Sequence, residues 1–296
     1  MRSKLIDIVL PKGSLEQETL RLFDDADLPI IRSSSRDYNA QINDLRIGNV
    51  KFLRPQEIAL YVQQGYFDLG ITGQDWVAES GADVVDVMPL KYNKTGAGAP
   101  VKLVLAVSQE SGVSNVDQLP PNLRVSTEYP RITEGFFRKI GVPARVYLSY
   151  GATEAKVPQI ADAVVELTET GQTLRRNGMR IIDTIFESAT TLVANKESWA
   201  DETKRQQIEE ITTLLNGALA ARGKVLIKLN VSEERLGDVV QMLPAMKAPT
   251  VSRLFGSDFY AVETVVVRSE INLLIPELKK RGAEDILELP ISKIVN

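Results

Sequence analysis

Asp162 and Glu166 lie just ahead of the run Thr168, Glu169, Thr170, Gly171, Gln172, Thr173. Glycine lets a backbone approach an anion, and hydroxyls and free amides supply donors to it. Such a turn suits a phosphate monoester. It lacks the Gly-Lys-Ser/Thr of a Walker A loop, and by itself its composition also fits a plain surface turn. Side chains two apart on a strand share a face, so Asp162, Val164 and Glu166 are expected to point the same way. Two carboxylates repel a phosphate and need another partner. Sugar hydroxyls, a magnesium ion or both would serve, which makes Asp162 and Glu166 candidate metal ligands. The competing reading leaves one of them solvated on an edge strand.

Other charged groups stand at element ends. Lys12 follows the first apolar run and Arg54 follows "KFL". Lysine acts on further phosphates as a point charge and arginine in bidentate fashion. For each the competing reading is a surface charge, the commoner fate of a lone Lys or Arg. Asp75 is placed to accept from a ligand amino group or to cap its helix. Trp76 reads as core rather than as a stacking platform. The chain has no cysteine and no histidine. That removes disulfides, thiolate nucleophiles, a Ser-His-Asp triad and histidine-ligated zinc. A net charge of -4 disfavours nucleic acid as the main partner. No apolar run approaches a bilayer span. The start, "MRSKLIDIVLPKGSL", lacks a signal-peptide core. The expected location is the cytoplasm, with no membrane partner.

The carriers of these groups follow from periodicity. Residues 4–10 read as a buried strand, "PKG" as a turn, and Ser14 as a helix cap with Gln17 completing a capping box. Residues 44–53 read as a strand region, "RPQEIALYVQQG" as a helix, "YFDLGI" as a strand and "QDWVAESG" as a short helix. This alternation predicts an α/β layer with a mostly parallel sheet. "KYNKTGAGAP" at 91–100 is the best interior boundary. A second α/β series runs from 101 to the turn at 168–173. "MRIIDTIFESATTLVAN" reads as two strands. A long amphipathic helix follows, with Ile208, Ile211, Leu215 and Leu219 on one face. From residue 224 the pattern becomes βαββαβ, a ferredoxin-like module.

Three strand-turn-helix units, "VLPKGSL", "GITGQDW" and "LTETGQTL", therefore share one design. Ligands of open α/β sheets collect beyond strand carboxyl ends, where these turns lie.

Taken in order, "LPKGSL", "FLRPQEIALYVQQGYFDLGITGQDWV", "GATEAKVPQIADAVVELTETGQTLRRNGM" and the βαββαβ tail resemble the long form of the ATP phosphoribosyltransferase family. The resemblance covers essentially the whole chain, and ADAVVELTETGQTL is its most specific piece. It implies two lobes like a type II periplasmic binding protein, spanning 1–94 with 184–222 and 95–183, followed by an ACT-like regulatory domain at 223–296. It implies the reaction that opens histidine biosynthesis. There, an adenine nitrogen of ATP displaces pyrophosphate from phosphoribosyl pyrophosphate, with Mg2+, and histidine feeds back as inhibitor. Dimers and hexamers of one chain are implied, with no separate regulatory subunit.

Carried onto this sequence, the resemblance gives phosphoribosyl pyrophosphate to Asp162, Glu166, Thr168, Glu169, Thr170, Gly171, Gln172 and Thr173. It gives ATP to Lys12, Gly13, Arg54, Gly73 and Asp75, and catalytic roles to Lys12, Arg54 and Glu154. The effector pocket falls near Asn230, Met246, Thr250, Val265 and Asp285. Lys156, in "GATEAK", is an added charge where many members read "GSVE" and a small residue. Displacement at a sugar carbon relies on placement and fixed charge, so a chain without histidine can perform it. The alternative is a cytoplasmic small-ligand sensor on the same fold.

Overall fold

Ile6, Ile8, Val9 and Leu10 have no exposed surface, as a strand covered on both faces requires. In the computed structural model, which describes residues 5–90, 92, 100–244, 246 and 248–295, they form β1 (Ile6–Pro11). The chain continues through α1 (Glu16–Asp25), β2 (Ile30–Ile31), β3 (Asn39–Ile42), β4 (Ile47–Leu53), α2 (Pro55–Gln63), β5 (Leu69–Gly73), α3 (Gln74–Ser80) and β6 (Val85–Leu90). Two local expectations shift. Helix α1 opens at Glu16, whose carboxylate accepts from the Gly13 N–H at 3.3 Å, so Glu16 takes the reach-back role expected of Gln17. Strand β4 opens at Ile47 because the Asp44 side chain accepts from the Arg46 N–H at 2.9 Å and folds 44–46 into a turn.

The first sheet has the order β2-β3-β4-β1-β5-β12-β6, where β12 is Thr190–Ala194. Only β4, β1 and β5 run parallel; β3 and β12 are antiparallel to their neighbours. The sheet is thus parallel at its centre rather than throughout. The second sheet is built from β7 (Val101–Ser108), β8 (Leu123–Thr127), β9 (Ala144–Leu148), β10 (Ala163–Thr168) and β11 (Met179–Ser188), in the order β11-β7-β10-β8-β9. Helices α4 (Pro130–Ile140) and α5 (Gln172–Arg176) belong to this stretch. The chain returns to the first sheet between Ser188 and Thr190. The glycine-rich stretch read as a boundary lies, apart from Tyr92 and Pro100, outside the described residues.

After α6 (Lys196–Ala200), helix α7 (Glu202–Ala221) buries Lys204, Ile208, Ile211, Leu215 and Ala218. That is one stripe at helical spacing, with Ala218 in the place expected of Leu219. The chain divides into two compact units, Met1–Asp24 with Leu28–Thr212, and Asp25–Asp27 with Thr213–Asn296. The division falls inside α7. Within the second unit, the Gly217 carbonyl accepts from the Ile294 N–H at 2.9 Å and Arg222 pairs with Asp25 at 3.2 Å.

The second unit holds β13 (Lys224–Ser232), α8 (Leu236–Met242), β14 (Thr250–Arg253), β15 (Phe259–Val267), α9 (Ile271–Lys280) and β16 (Ala283–Pro290). Its sheet order is β14-β15-β13-β16, all antiparallel. This is the expected βαββαβ module. Val225, Ile227, Leu229 and Val231 alternate inward to a core with Val239, Val262, Ile271 and Leu278. No helix among the described residues is long and apolar enough to cross a membrane.

Candidate active site

The turn after β10 is closed by its own side chains. Thr168 Oγ1 accepts from the Gly171 N–H at 2.8 Å, and Thr170 Oγ1 from the Gln172 N–H at 3.4 Å. Arg175 donates to the Thr170 carbonyl at 2.7 Å. Gly171 has φ +69°, and a Cβ there would meet Ile181 at 2.7 Å. The positive φ selects glycine, while the Ile181 methyl could shift aside. The turn is therefore shaped before any ligand arrives.

It forms one wall of a cavity of about 420 Å³ in the first unit, a size suited to a small molecule. All three strand-turn-helix units reach it: Ser14 and Leu15 from the first, Gly73, Asp75 and Trp76 from the second, and Glu166 through Leu174, except Gly171, from the third. Pro55 at the start of α2, Thr190 of β12, and Glu154 complete the contributions used here. The first two units and Pro55 meet because β1, β4 and β5 run parallel and end together; the third turn comes from β10 of the second sheet.

Glu166 is the electrostatic centre. Burial raises its pKa to about 7; the nearby charges of Glu128 and Glu154 add to the rise, and a hydrogen bond with Thr153 opposes it. Glu166 and Glu154 line the cavity with the charge of Glu128 behind them, a surplus of negative charge that a cation or hydroxyl donors would relieve.

Asp75 is buried and already engaged. Its Oδ1 accepts from Ser188 Oγ at 2.7 Å and its Oδ2 from the Tyr129 hydroxyl at 2.7 Å. The Asp75 N–H donates to Ser188 Oγ at 3.0 Å. A Cβ on Gly73 would sit 1.9 Å from Asp75 Oδ1, so this arrangement requires glycine. Burial first, then the charge of Asp75, pushes the Tyr129 phenol upward, keeping it a donor. Trp76 stacks on Tyr129 at 4.3 Å between centroids. It also lines the cavity, so it is both packing and wall. Tyr129 and Ser188 were not singled out from sequence. The available signal was Tyr129 directly before Pro130 at a helix start, a cap position that an aromatic cannot fill. The Glu79 carboxylate fills it from α3, accepting from the Arg131 and Ile132 N–H groups, each at 2.9 Å.

Asp162 stands apart from this cavity. Its carboxylate pairs with Arg124 at 2.6 Å and also accepts from the Arg124 N–H at 2.9 Å. These hydrogen bonds hold its pKa below the usual range. It does not line the cavity. It precedes β10, whereas the turn follows it, and four residues of strand span about 13 Å. Lys12, Gly13 and Arg54 also fall outside the lining, next in chain to Ser14 and Pro55. They cluster: Arg54 lies 3.7 Å from where a Gly13 Cβ would be. Lys12 and Arg32 pair with Glu16 at 3.1 and 2.8 Å.

A model of the ATP phosphoribosyltransferase (HisG) family matches residues 54–217. A model of the HisG C-terminal domain matches 221–293. An ATP phosphoribosyltransferase of Pelotomaculum thermopropionicum is 45% identical over 286 residues, 97% of this chain and 98% of that one. Another, of Thermodesulfovibrio yellowstonii, is 41% identical over 295 residues and covers 100% of both. The chain belongs to the ATP phosphoribosyltransferase family. In solved form, a chain of the ATP phosphoribosyl transferase (HisG:HisZ) complex from Thermotoga maritima superposes with a TM-score of 0.60 at 24% identity, covering 71% of this chain and 96% of that one. At that identity it speaks to the fold.

As an ATP phosphoribosyltransferase, the chain is a transferase of the first step of histidine biosynthesis, and the sensor alternative is set aside. Phosphoribosyltransferases generally need a divalent metal. Among the described residues no group of three or more acidic side chains could hold a metal ion alone. Mg2+ is usually held by one or two carboxylates together with substrate phosphates. The excess charge around Glu166 and Glu154 fits that arrangement; Asp162, committed to Arg124, does not.

In the HisG C-terminal domain, Asn230 donates to Asp285 at 2.9 Å. Register pairs Leu226 with Val265, Lys228 with Glu263, and Thr250 with Glu263. Asn230, Thr250 and Val265 thus share the helix-free sheet face, and Asp285 joins them through Asn230. Met246 is exposed and precedes β14.

Proposed function

We propose that this cavity transfers the phosphoribosyl group of phosphoribosyl pyrophosphate to an adenine nitrogen of ATP, releasing pyrophosphate and forming phosphoribosyl-ATP. The carrying observation is the convergence of three strand-turn-helix units on one cavity with Glu166 in its wall. The 168–173 turn grips the 5-phosphate through the hydroxyls of Thr168, Thr170 and Thr173 and its backbone amides, with Gly171 opening the approach and Glu169 and Gln172 bounding it. Glu166 and Glu154 accept from ribose hydroxyls and face the positive charge that develops on the ring. Lys12, Gly13 and Arg54 meet the pyrophosphate or triphosphate at the rim. Gly73 and Asp75 bound the nucleotide. Mg2+ beside Glu154 and Glu166 would neutralise charge on the departing pyrophosphate. The location proposed with this reaction is the cytoplasm.

Histidine acts as inhibitor at the C-terminal domain, near Asn230, Met246, Thr250, Val265 and Asp285. The domain is part of the same chain, so no separate regulatory subunit is required. The helix-free face also presents Leu287 and Leu289, 53% and 39% exposed. Such a face is suited to a second copy, which supports a homo-oligomer, a dimer or hexamer.

Mixing the protein with ATP, phosphoribosyl pyrophosphate and Mg2+ should change the adenine ultraviolet absorbance and release pyrophosphate; silence on both would end this reading. Saturating histidine should slow the reaction, and an unchanged rate would remove the feedback role. Thr170→Val should raise KM for phosphoribosyl pyrophosphate about tenfold, the loss of one hydrogen bond to a charged group, with KM for ATP unchanged. An unaltered KM for the sugar substrate would count against the phosphate turn.

A further inference from the structure

The chain passes between the first and second sheets twice, once between Leu90 and Val101 and once between Ser188 and Thr190. Two sheets joined by two crossings can turn about them, as hinged proteins do around a ligand. The cavity takes Gly73 and Thr190 from the first sheet and Val101 and Glu166 from the second, so its width would follow any such turn. The second crossing is bonded residue by residue to the start of α3. The Gln74 N–H donates to the Ala189 carbonyl at 2.9 Å, and the Ala189 N–H to Gln74 Oε1 at 3.3 Å. The Asp75 N–H donates to Ser188 Oγ at 3.0 Å, and Ser188 gives its own proton to Asp75 Oδ1 at 2.7 Å. The first crossing is tied to the second, because the Thr190 hydroxyl donates to the Tyr92 carbonyl at 2.9 Å. These bonds hold the crossings to the first sheet. Tyr129 supplies a link to the body of the second. Its ring is buried in that sheet's core with Leu103, Val125 and Phe137, and its hydroxyl ends on Asp75 Oδ2 at 2.7 Å.

We propose that Tyr129 is a positioning residue for the transfer reaction: through Asp75, its hydroxyl pins the core of the second sheet to the crossing at Ser188 and holds the two sides of the cavity at one spacing. This rests on the proposed reaction. There the sugar substrate sits on the turn after β10, and Gly73 and Asp75 bound the nucleotide. The spacing between the sheets therefore decides whether the anomeric carbon meets the adenine nitrogen. Each substrate alone keeps its own contacts when that spacing relaxes. What is lost is their alignment, to which the rate of a two-substrate step is steeply sensitive. Tyr129 does not line the cavity, so it acts without touching either substrate. The same two helices are also joined by the Glu79 cap on α4 and by Arg131, which donates to the Ser80 carbonyl at 3.2 Å. The Arg131 bonds are exposed, whereas the bond from Tyr129 to Asp75 is buried, where water offers no replacement for a lost donor.

The test uses the full chain. Tyr129→Phe keeps the ring and its stack on Trp76 and removes only the hydroxyl. It should lower kcat about tenfold or more and leave KM for ATP and for phosphoribosyl pyrophosphate little changed. In the substrate-free protein, amide hydrogen exchange should quicken about tenfold in peptides covering Gln74–Asp75 and Ser188–Thr190, the loss of one hydrogen bond to a charged group. Exchange along β13 should not change. Val125→Ala, a cavity in the same core, is the control: it should lower the melting temperature yet leave kcat and exchange at the crossing as in the native chain. An equal fall of kcat in Val125→Ala would mean general loosening of the core and would overturn the proposal. So would native exchange at the crossing in Tyr129→Phe, or a raised KM with kcat unchanged, which would make the hydroxyl a binding group. If exchange quickens but the native protein transfers nothing, the reaction assignment fails and the pin at Ser188 stands.

Discussion

Lys204→Met should destabilise the first unit by about 3–5 kcal/mol, the usual cost of leaving one charge of a buried pair alone. Lys204 Nζ lies 2.6 Å from Asp68 Oδ1, and the two side chains are 10% and 8% exposed. Asp68 also accepts from Ser198 Oγ at 2.5 Å and from the Asp7 N–H at 2.9 Å. One carboxylate thus ties β1, the entry to β5, α6 and α7 together. Methionine fills the volume of the lysine stem but leaves the carboxylate without its cation. Asn195 next to this group donates to the Val62 carbonyl at 2.8 Å, so the strain would spread to α2. Thermal melting should fall by about 10 °C for a unit of this size. The double variant Asp68→Asn, Lys204→Met should recover much of the loss, because no unpaired charge remains. A single variant as stable as the native chain would show that water reaches the site and screens the pair.

That ion pair also marks a limit of periodicity. The stripe on α7 was legible through Ile208, Ile211 and Leu215, but its first member is Lys204, a charge that an apolar pattern discards. Its partner lies 136 positions away along the chain, so only the tertiary fold can reveal it. The same holds for Asp162. Strand parity put it on the face of Glu166, and parity says nothing of distance along the strand or of Arg124 beside it. By contrast, the three turns were legible because their signals are local. Gly73, Gly171 and the hydroxyls around them are needed within a few residues of where they stand. The βαββαβ tail was legible for a similar reason: Val225 to Val231 alternate strictly, and one face of that sheet is covered by its own two helices. The Asp75, Tyr129 and Ser188 group was half visible. Asp75 was chosen from its position at a helix start, whereas the hydroxyls that hold it come from two other stretches of chain.

Glu166→Gln should make the substrate-free protein more stable above pH 7 and a poorer enzyme. The folded chain holds the Glu166 proton up to about pH 7, against an ordinary value of 4.5. Below pH 4.5 both the folded and unfolded chains carry that proton, and its contribution to stability is fully present. As pH rises from there to about 7, the unfolded chain has released the proton while the folded chain still binds it. Stability therefore falls across that window and stays lower above it. At about 1.4 kcal/mol per pH unit, the loss is roughly 3 kcal/mol. Glutamine keeps the shape and removes the charge, so the variant should gain up to that amount at pH 8 and nothing at pH 4.5. The same charge is what the proposed site uses to accept from ribose and to face a cation, and kcat/KM for phosphoribosyl pyrophosphate should fall by about 100-fold or more, as losses of transition-state electrostatic contacts do. Denaturant melts at the two pH values, with initial rates at pH 8, decide it. Equal stability of variant and native chain at pH 8 would mean that Glu166 is solvated as an ordinary carboxylate, and an unchanged rate would remove it from the chemistry.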